Sequence, residues 1–554
     1  MRPRLVEHRL WPATRRHRAL PHRVFSRRGL AGQATVQAVK ARPVLPFLLT
    51  PKASPSVARS FTSERKRWLK HEARLVVRYT VTLWGVVGAV LVFFFAIGEE
   101  ALERRFPTPP EWNYFTRKCL RDANQNRNPK NGEINWPGAL ELARLVLSRL
   151  EDPAIGGDGV AKLLDGQGQA SDVPGEFVPC DISAKSEAWR RGYVEAMMLA
   201  AKAAEHVDGW VRDRTRNLVS RPEYVIGPSN PRPKPIAPGN PHAPREEDCD
   251  PAFPAADNWY MKILATKGLT ARQRMEAALE YASFMDYKRR PDGVEALFNL
   301  ALAEATQGLP PSSLPYDPKT LVLANGEAPA SMNVLDVLTA MANYKARRGH
   351  VFVALPIYIS LLKNRRALSD APPSTAASSK PRDPSMFRQM VALFAPPDYP
   401  APPPDGTRPP PRDLSSRCQE AALHLYIGEI LYATSSKVEG LSWTREGVDL
   451  AEEQLRAAGQ GPADREAKQT CRECLTVGLD NWSIMVSRLA KREAERNKAG
   501  AKSKPFSLWS GEKDAAEGRW TAEEAVVQER VRRTKELLED LTPPPMGPLS
   551  FFKA

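Results

Sequence analysis

VLDVLTAMANYKARRGHVFVALPIYISLLKNRRAL, residues 334–368, is the stretch that decides the fold. Two apolar runs flank the basic break Arg347-Arg348-Gly349. Their apolar residues recur at helical rather than alternating spacing, so the stretch reads as two antiparallel helices joined by a short turn. Pro356 falls inside the second run, where a missing N–H and a clashing ring predict a kink.

The pattern continues on both sides. Residues 271–308 read as two helices split by Arg290-Pro291-Asp292-Gly293. The stretches 420–433 and 441–458 read as another pair with an insert between them, and 468–493 and 521–541 complete or cap the series. Towards the amino end, residues 111–126 form a plausible helix. Trp136-Pro137 opens the next one, with proline near the first helical position and Ala139, Leu142, Ala143, Val146, Leu147 and Leu150 on one face. A long helix is expected from about Lys185 to Val219, with Trp189, Tyr193, Met197, Ala200 and Ala204 as its apolar stripe. The expected fold class is all-α.

Two proline-rich inserts interrupt the helices, 222–254 and 371–412. The first reads as a surface loop. Within the second, APPDYPAPPPDGTRPPPR (395–412) suits polyproline II and reads as a stiff, solvated insert, the alternative being a ligand for an aromatic groove. The apolar run Met386, Phe387, Met390, Val391 and Phe394 before it is either a plug lying across a groove or core. The closing Phe551-Phe552 is either a docking tail or terminal packing.

The 334–368 unit resembles a tetratricopeptide repeat (TPR), a helix-turn-helix of 34 residues. The resemblance implies that Leu338, Met341 and the small Ala342 pack on the first helix. Gly349 then falls at the turn, and Ala354, Tyr358 and Leu361 belong to the second helix. Gly428 is the small residue of a weaker match at 420–433. Tyr344 stands one place early for the usual aromatic, and Ala282, Ala342 and Gly428 are 60 and 86 residues apart, so no strict repeat period survives. The expectation is a TPR-like helical-hairpin solenoid over residues 107–554, against an irregular helical array.

Charge and hydropathy organise the amino end. Tyr79–Gly98, YTVTLWGVVGAVLVFFFAIG, holds twenty residues without a charge and is long enough to cross a bilayer core of about 30 Å as one helix. The formal net charge of +16 resides in residues 1–78, with 19 Lys/Arg and 3 Asp/Glu; the remainder carries 61 of each sign. The large domain therefore has no bulk attraction to phosphate backbones, and no nucleic-acid partner is expected. Residues 1–60 contain thirteen basic residues and one acid, the composition of a mitochondrial transit peptide. Arg59 and Phe61 frame a processing site, giving a leader over 1–61 and a basic stub over 62–78. Positive charge stays on the side from which insertion is directed. The stub would thus face the matrix and the large domain the intermembrane space.

Catalytic signatures are sparse. No HExxH, GxSxG or phosphate-loop motif occurs, and His206, His242, His350 and His424 are far apart in sequence. Cys471 and Cys474 read as small core residues, the alternative being a disulfide or redox pair. No catalytic residue, metal or cofactor is expected. The combination of leader, single span and degenerate TPR units resembles the adaptor subunits of the fungal i-AAA protease. That resemblance implies recruitment of unfolded or membrane-protein substrates to an ATP-dependent protease. The alternatives are an assembly factor for a respiratory complex and a thiol oxidoreductase using Cys471 and Cys474.

Overall fold

The computed structural model describes residues 63–129, 132–163, 175–236, 243–310, 313–324, 329–370, 399–457, 462–503 and 518–540. Arg59 and Phe61, the run from Met386 to Phe394 and the terminal Phe551-Phe552 lie outside them. The chain divides into two compact units, residues 1–89 and 90–554. The described part of the first is the start of helix α1, Ser63–Arg105. Helix α1 is long and apolar enough to cross a membrane, and none of its apolar window is buried.

The second unit is mostly helical. After α1 come α2 (Tyr114–Arg127), α3 (Trp136–Glu151), α4 (Glu187–His206), α5 (Ala256–Ala265), α6 (Ala271–Tyr287) and α7 (Pro291–Ala305). They are followed by α8 (Met332–Arg347), α9 (Val351–Arg366), α10 (Leu414–Thr434), α11 (Lys437–Ala457), α12 (Pro462–Ser503) and α13 (Arg519–Asp540). From α2 onward each helix packs against the next one in sequence. Helix α4 also touches α6, α6 touches α8, and α10 touches α12.

Local chemistry sets many of the helix starts. Ser186, Thr270, Ser331 and Asp413 each accept a backbone N–H of the first turn, and Thr270 with Gln273 forms a reciprocal capping box. These caps satisfy amides that the helix itself leaves without partners. The apolar stripes then merge into two cores. One runs from Trp112 to Ile430 and the other from Cys418 to Val527. Helix α10 serves both, giving Leu423, Ile427 and Ile430 to the first and Cys418, Ala421 and Leu425 to the second.

Several expectations are corrected. Helix α4 stops at His206, and the chain beyond it forms strands, not more helix. Gly209, at φ +77°, turns the chain into β3 (Val211–Asp213) and β4 (Leu218–Ser220), which pair with β5 (Cys249–Pro251) in the order β4-β3-β5. Asp213 accepts from the Thr215 amide and hydroxyl, and Asn217 takes φ +54°, so turn chemistry overrides the helical reading. The 222–254 insert thus contributes a strand and is not only loop. A smaller ribbon pairs β1 (Ala161–Lys162) with β2 (Cys180–Asp181). Helix α5 was hidden between the insert and α6, although Trp259, Tyr260 and Ile263 are fully buried. Pro356 does fall inside the second helix of the 334–368 pair, α9, while α11 begins at Lys437, so the insert expected after α10 is absent.

Helices α10 and α11 approach through glycine. A Cβ on Gly428 would lie 2.8 Å from the Gly440 carbonyl oxygen and 2.9 Å from the Thr444 amide nitrogen. On Gly440 it would lie 2.4 Å from the Tyr432 amide. Alanine normally favours a helix over glycine by about 1 kcal/mol, but here the obstacles are backbone atoms that cannot swing away. Gly428→Ala should therefore destabilise the protein by roughly 2 kcal/mol, read as a fall in Tm. Gly349→Ala, at φ +85° with open space around it, should cost about half as much.

Candidate functional site

Two constructions stand out from ordinary helix packing: the exit from α1, and the edge where α4, α6 and α8 begin.

At the exit, Glu103 is buried and accepts from the Thr108 amide at 3.0 Å and the Thr108 hydroxyl at 2.8 Å. Arg117 approaches it at 2.9 Å, and Arg121 binds it directly. Arg121 also reaches Glu99 at 2.7 Å, and Lys118 reaches Glu99 at 2.6 Å. Burial opposes ionisation of Glu103, but the Thr108 and Arg117 hydrogen bonds outweigh it and hold the carboxyl below its ordinary pKa. The loop after α1 is held from the other side as well. A Cβ on Gly192 of α4 would meet Pro109 and Trp112, and Trp112 meets Trp189 edge-on at 6.4 Å. The end of α1 is thereby fixed to α2, and the following loop to α4.

The second construction uses part of the proline-rich block. Residues 399–412 are not merely a solvated insert; they are strapped along the array. Arg191 on α4 donates to the Tyr399 hydroxyl at 3.2 Å, the Pro400 carbonyl at 2.6 Å and the Ala401 carbonyl at 2.9 Å. Its guanidinium also lies 4.2 Å from the Tyr399 ring centre. At the start of α8 the Asn333 side-chain amide donates to the Asp405 carbonyl at 2.9 Å. The backbone amides of Met332 and Asn333 donate to the Arg408 and Gly406 carbonyls. Arg272 at the start of α6 donates to the Asn333 side-chain oxygen at 3.1 Å, which leaves the Asn333 NH2 group for the strap. Gly406, at φ +68°, is pressed so close to Asn333 and Arg272 that a Cβ would overlap both. Arg412 closes the strap with a paired contact to buried Glu420 at 2.8 and 2.9 Å. A cavity of about 390 Å³ lies under its beginning, between Phe106, Glu195 and Pro400.

No family model, curated protein or solved structure matches the chain. The site must therefore be read from its own chemistry.

The residues taken from the TPR resemblance sit at the helix contacts. Leu338, Ala342, Ala354 and Tyr358 are essentially inaccessible, Met341 is buried, and Gly349 forms the α8–α9 turn. Gly428 lies at the α10–α11 crossing, far along the chain from the 334–368 unit. These positions build the array without lining a surface. Arg191, Arg272 and Asn333 do line one, against Gly406 of the strap, and the hydrophobic pattern marks none of the four. The Asp405-Gly406 turn signal inside a proline block was the available hint of a close approach.

Titratable groups are also buried between α3, α4 and α5. Lys262 donates to Glu151 at 2.6 Å and to the Glu176 carbonyl at 2.6 Å, while the Tyr193 hydroxyl donates to Glu151 at 2.8 Å. Burial and the Glu151 charge push Tyr193 well above its usual range. Lysine and carboxylate are each engaged, which makes the cluster a tie between α3, α4 and α5. Among the described residues no group of three or more His, Cys, Asp or Glu could hold a metal ion.

The cysteine reading is corrected. Cys471 is bonded to Cys418 of α10 across 53 residues, with Cα atoms 4.9 Å apart, and not to Cys474. Helix pairing brings α10 and α12 together, which sequence spacing could not reveal. Cys474 remains a thiol, pushed by burial to about 11, a poor nucleophile at neutral pH. Denatured protein should accept four thiol labels without reductant and six with it. Cys474→Ser should keep the bond, and Cys418→Ser should abolish it and lower stability by about 2–4 kcal/mol.

His424, also on α10, receives a hydrogen bond from Arg366 at 2.8 Å on Nε2. Its Nδ1 is 3.5 Å from the Glu446 carboxylate, too far for a good bond. Burial and the Arg366 charge pull it down to about 4. Because the folded value lies below the unfolded one, its stabilising contribution is complete above about pH 6.5 and is lost as pH falls towards 4, by about 3 kcal/mol. Thermal melts of His424→Gln should lose that part of the acid slope.

Proposed function

We propose that this chain is a single-span mitochondrial inner-membrane protein. Its TPR-like helical solenoid holds protein partners in the intermembrane space. In this reading it is an adaptor that brings unfolded or membrane-protein substrates to the i-AAA protease for quality control, and it is not itself an enzyme.

The observation that carries the reading is the junction. An apolar helix of membrane-spanning length continues into an ion-paired exit and then into a series of helices, each packed on the next in sequence. Contacts of α4 with α6, of α6 with α8 and of α10 with α12 are those expected of a solenoid, whose first helices line up along one face. The basic amino side of α1 supports a matrix-facing stub. A buried disulfide supports placement of the array in a compartment that oxidises thiols. The thiol oxidoreductase alternative loses ground, since Cys471 is committed to the inaccessible Cys418 and Cys474 is held protonated.

The test is capture of the tagged full chain from mitochondria in mild detergent, with the co-purifying subunits identified. Stoichiometric recovery of a hexameric AAA protease is expected. Recovery of respiratory-complex subunits without the protease would overturn the adaptor role and put the assembly-factor reading in its place.

A further inference from the structure

The strap has a chemical asymmetry that packing alone does not require. Among the described residues, every hydrogen bond between 399–408 and the array has a strap oxygen as acceptor: the Tyr399 hydroxyl and the carbonyls of Pro400, Ala401, Asp405, Gly406 and Arg408. The array supplies only donors, from the Arg191 guanidinium, the Asn333 side-chain amide and the first two amides of α8. Proline offers a carbonyl and no N–H, and proline-rich chain is already extended, so it loses little freedom on binding. The strap side chains add little. Ala401, Pro402, Pro403, Pro404, Asp405, Thr407 and Arg408 are exposed, while Tyr399 is stacked on Arg191 and Gly406 is buried. The surface reads a backbone and one aromatic ring.

We propose that the edge formed by Arg191, Arg272, Asn333 and the start of α8 is a receptor for extended proline-rich peptides of partner proteins with an aromatic residue before the first proline. The chain's own Tyr399–Arg408 occupies it as an intramolecular competitor. This rests on the protein-binding reading above and names the ligand and the control of that surface. Pro400 and Pro402–Pro404 stiffen the segment that delivers these oxygens to the array, so proline-rich chain loses less freedom on binding than ordinary extended chain. The competitor keeps the edge closed until a partner segment is present at a concentration that outcompetes it.

The test uses the full chain in mild detergent and a fluorescent peptide of the strap's own sequence, YPAPPPDGTRPP (399–410). Gly406→Val should displace the strap, because its added carbons overlap Asn333 and Arg272, while the receptor residues stay intact. Tyr399→Ala is the gentler second variant, should Gly406→Val not fold. Either is expected to bind the peptide at least tenfold more tightly than the unaltered chain. Adding Arg191→Ala should remove the gain, and a peptide with its prolines replaced by alanine should bind several-fold more weakly. Equal, weak binding by the unaltered chain and both strap variants, all with native melting curves, would overturn the proposal and leave the strap a structural brace. Capture of partners from mitochondria with the same variants separates the two readings. Partners recovered equally with Arg191→Ala refute this receptor and leave the adaptor role standing. Peptide binding without any captured partner refutes the adaptor role alone.

Discussion

Each helix beyond α1 must cover its apolar stripe with its neighbour in sequence, and the rest of the structure follows from that constraint. Helix α10 shows it most clearly, because it has to face two ways at once. Leu423, Ile427 and Ile430 complete the core that begins at Trp112, while Cys418, Ala421 and Leu425 begin the one that ends at Val527. The Gly428–Gly440 crossing lets α11 come close enough to close that second core. Stability in such an array is close to a sum over adjacent pairs, so damage at one crossing stays local unless something ties distant pairs together.

Two kinds of tie are present. The Cys418–Cys471 bond joins α10 to α12 over 53 residues. The strap joins α4, α6 and α8 along the edge where these helices begin, then meets α10 through Arg412 and Glu420. At the other end, Glu99 and Glu103 bind the last turns of α1 to α2 through Arg117, Lys118 and Arg121. These ion pairs fix the last turns of α1 to the first helix of the array.

Much of the helical content was legible in sequence, because a 3.6-residue period and proline or glycine breaks are local signals. The pair at 334–368 and the split at Arg290–Gly293 fall where the pattern places them. What failed was non-local or masked by composition. The stretch after His206 kept enough helix-forming residues to hide the hairpin that Gly209, Asp213 and Asn217 impose. Helix α5 is only ten residues long and follows a proline-rich insert, which concealed its buried Trp259 and Ile263. The Cys418–Cys471 pairing depends on which helices meet. The strap was harder still, since its recognition rests on carbonyl oxygens that every residue possesses. Only the partners Arg191 and Asn333, 208 and 72 residues away from the atoms they bind, make those carbonyls a motif.

The central claim is that the helical array and the basic stub lie on opposite sides of the mitochondrial inner membrane. Protease added to intact mitochondria, to mitochondria with ruptured outer membranes and to detergent-lysed mitochondria tests it directly, with antibodies to the stub and to the array. The account predicts that the array is digested once the outer membrane is opened, while a fragment carrying the stub and α1 survives until detergent is added. Survival of the array after outer-membrane rupture, with loss only in detergent, would contradict it.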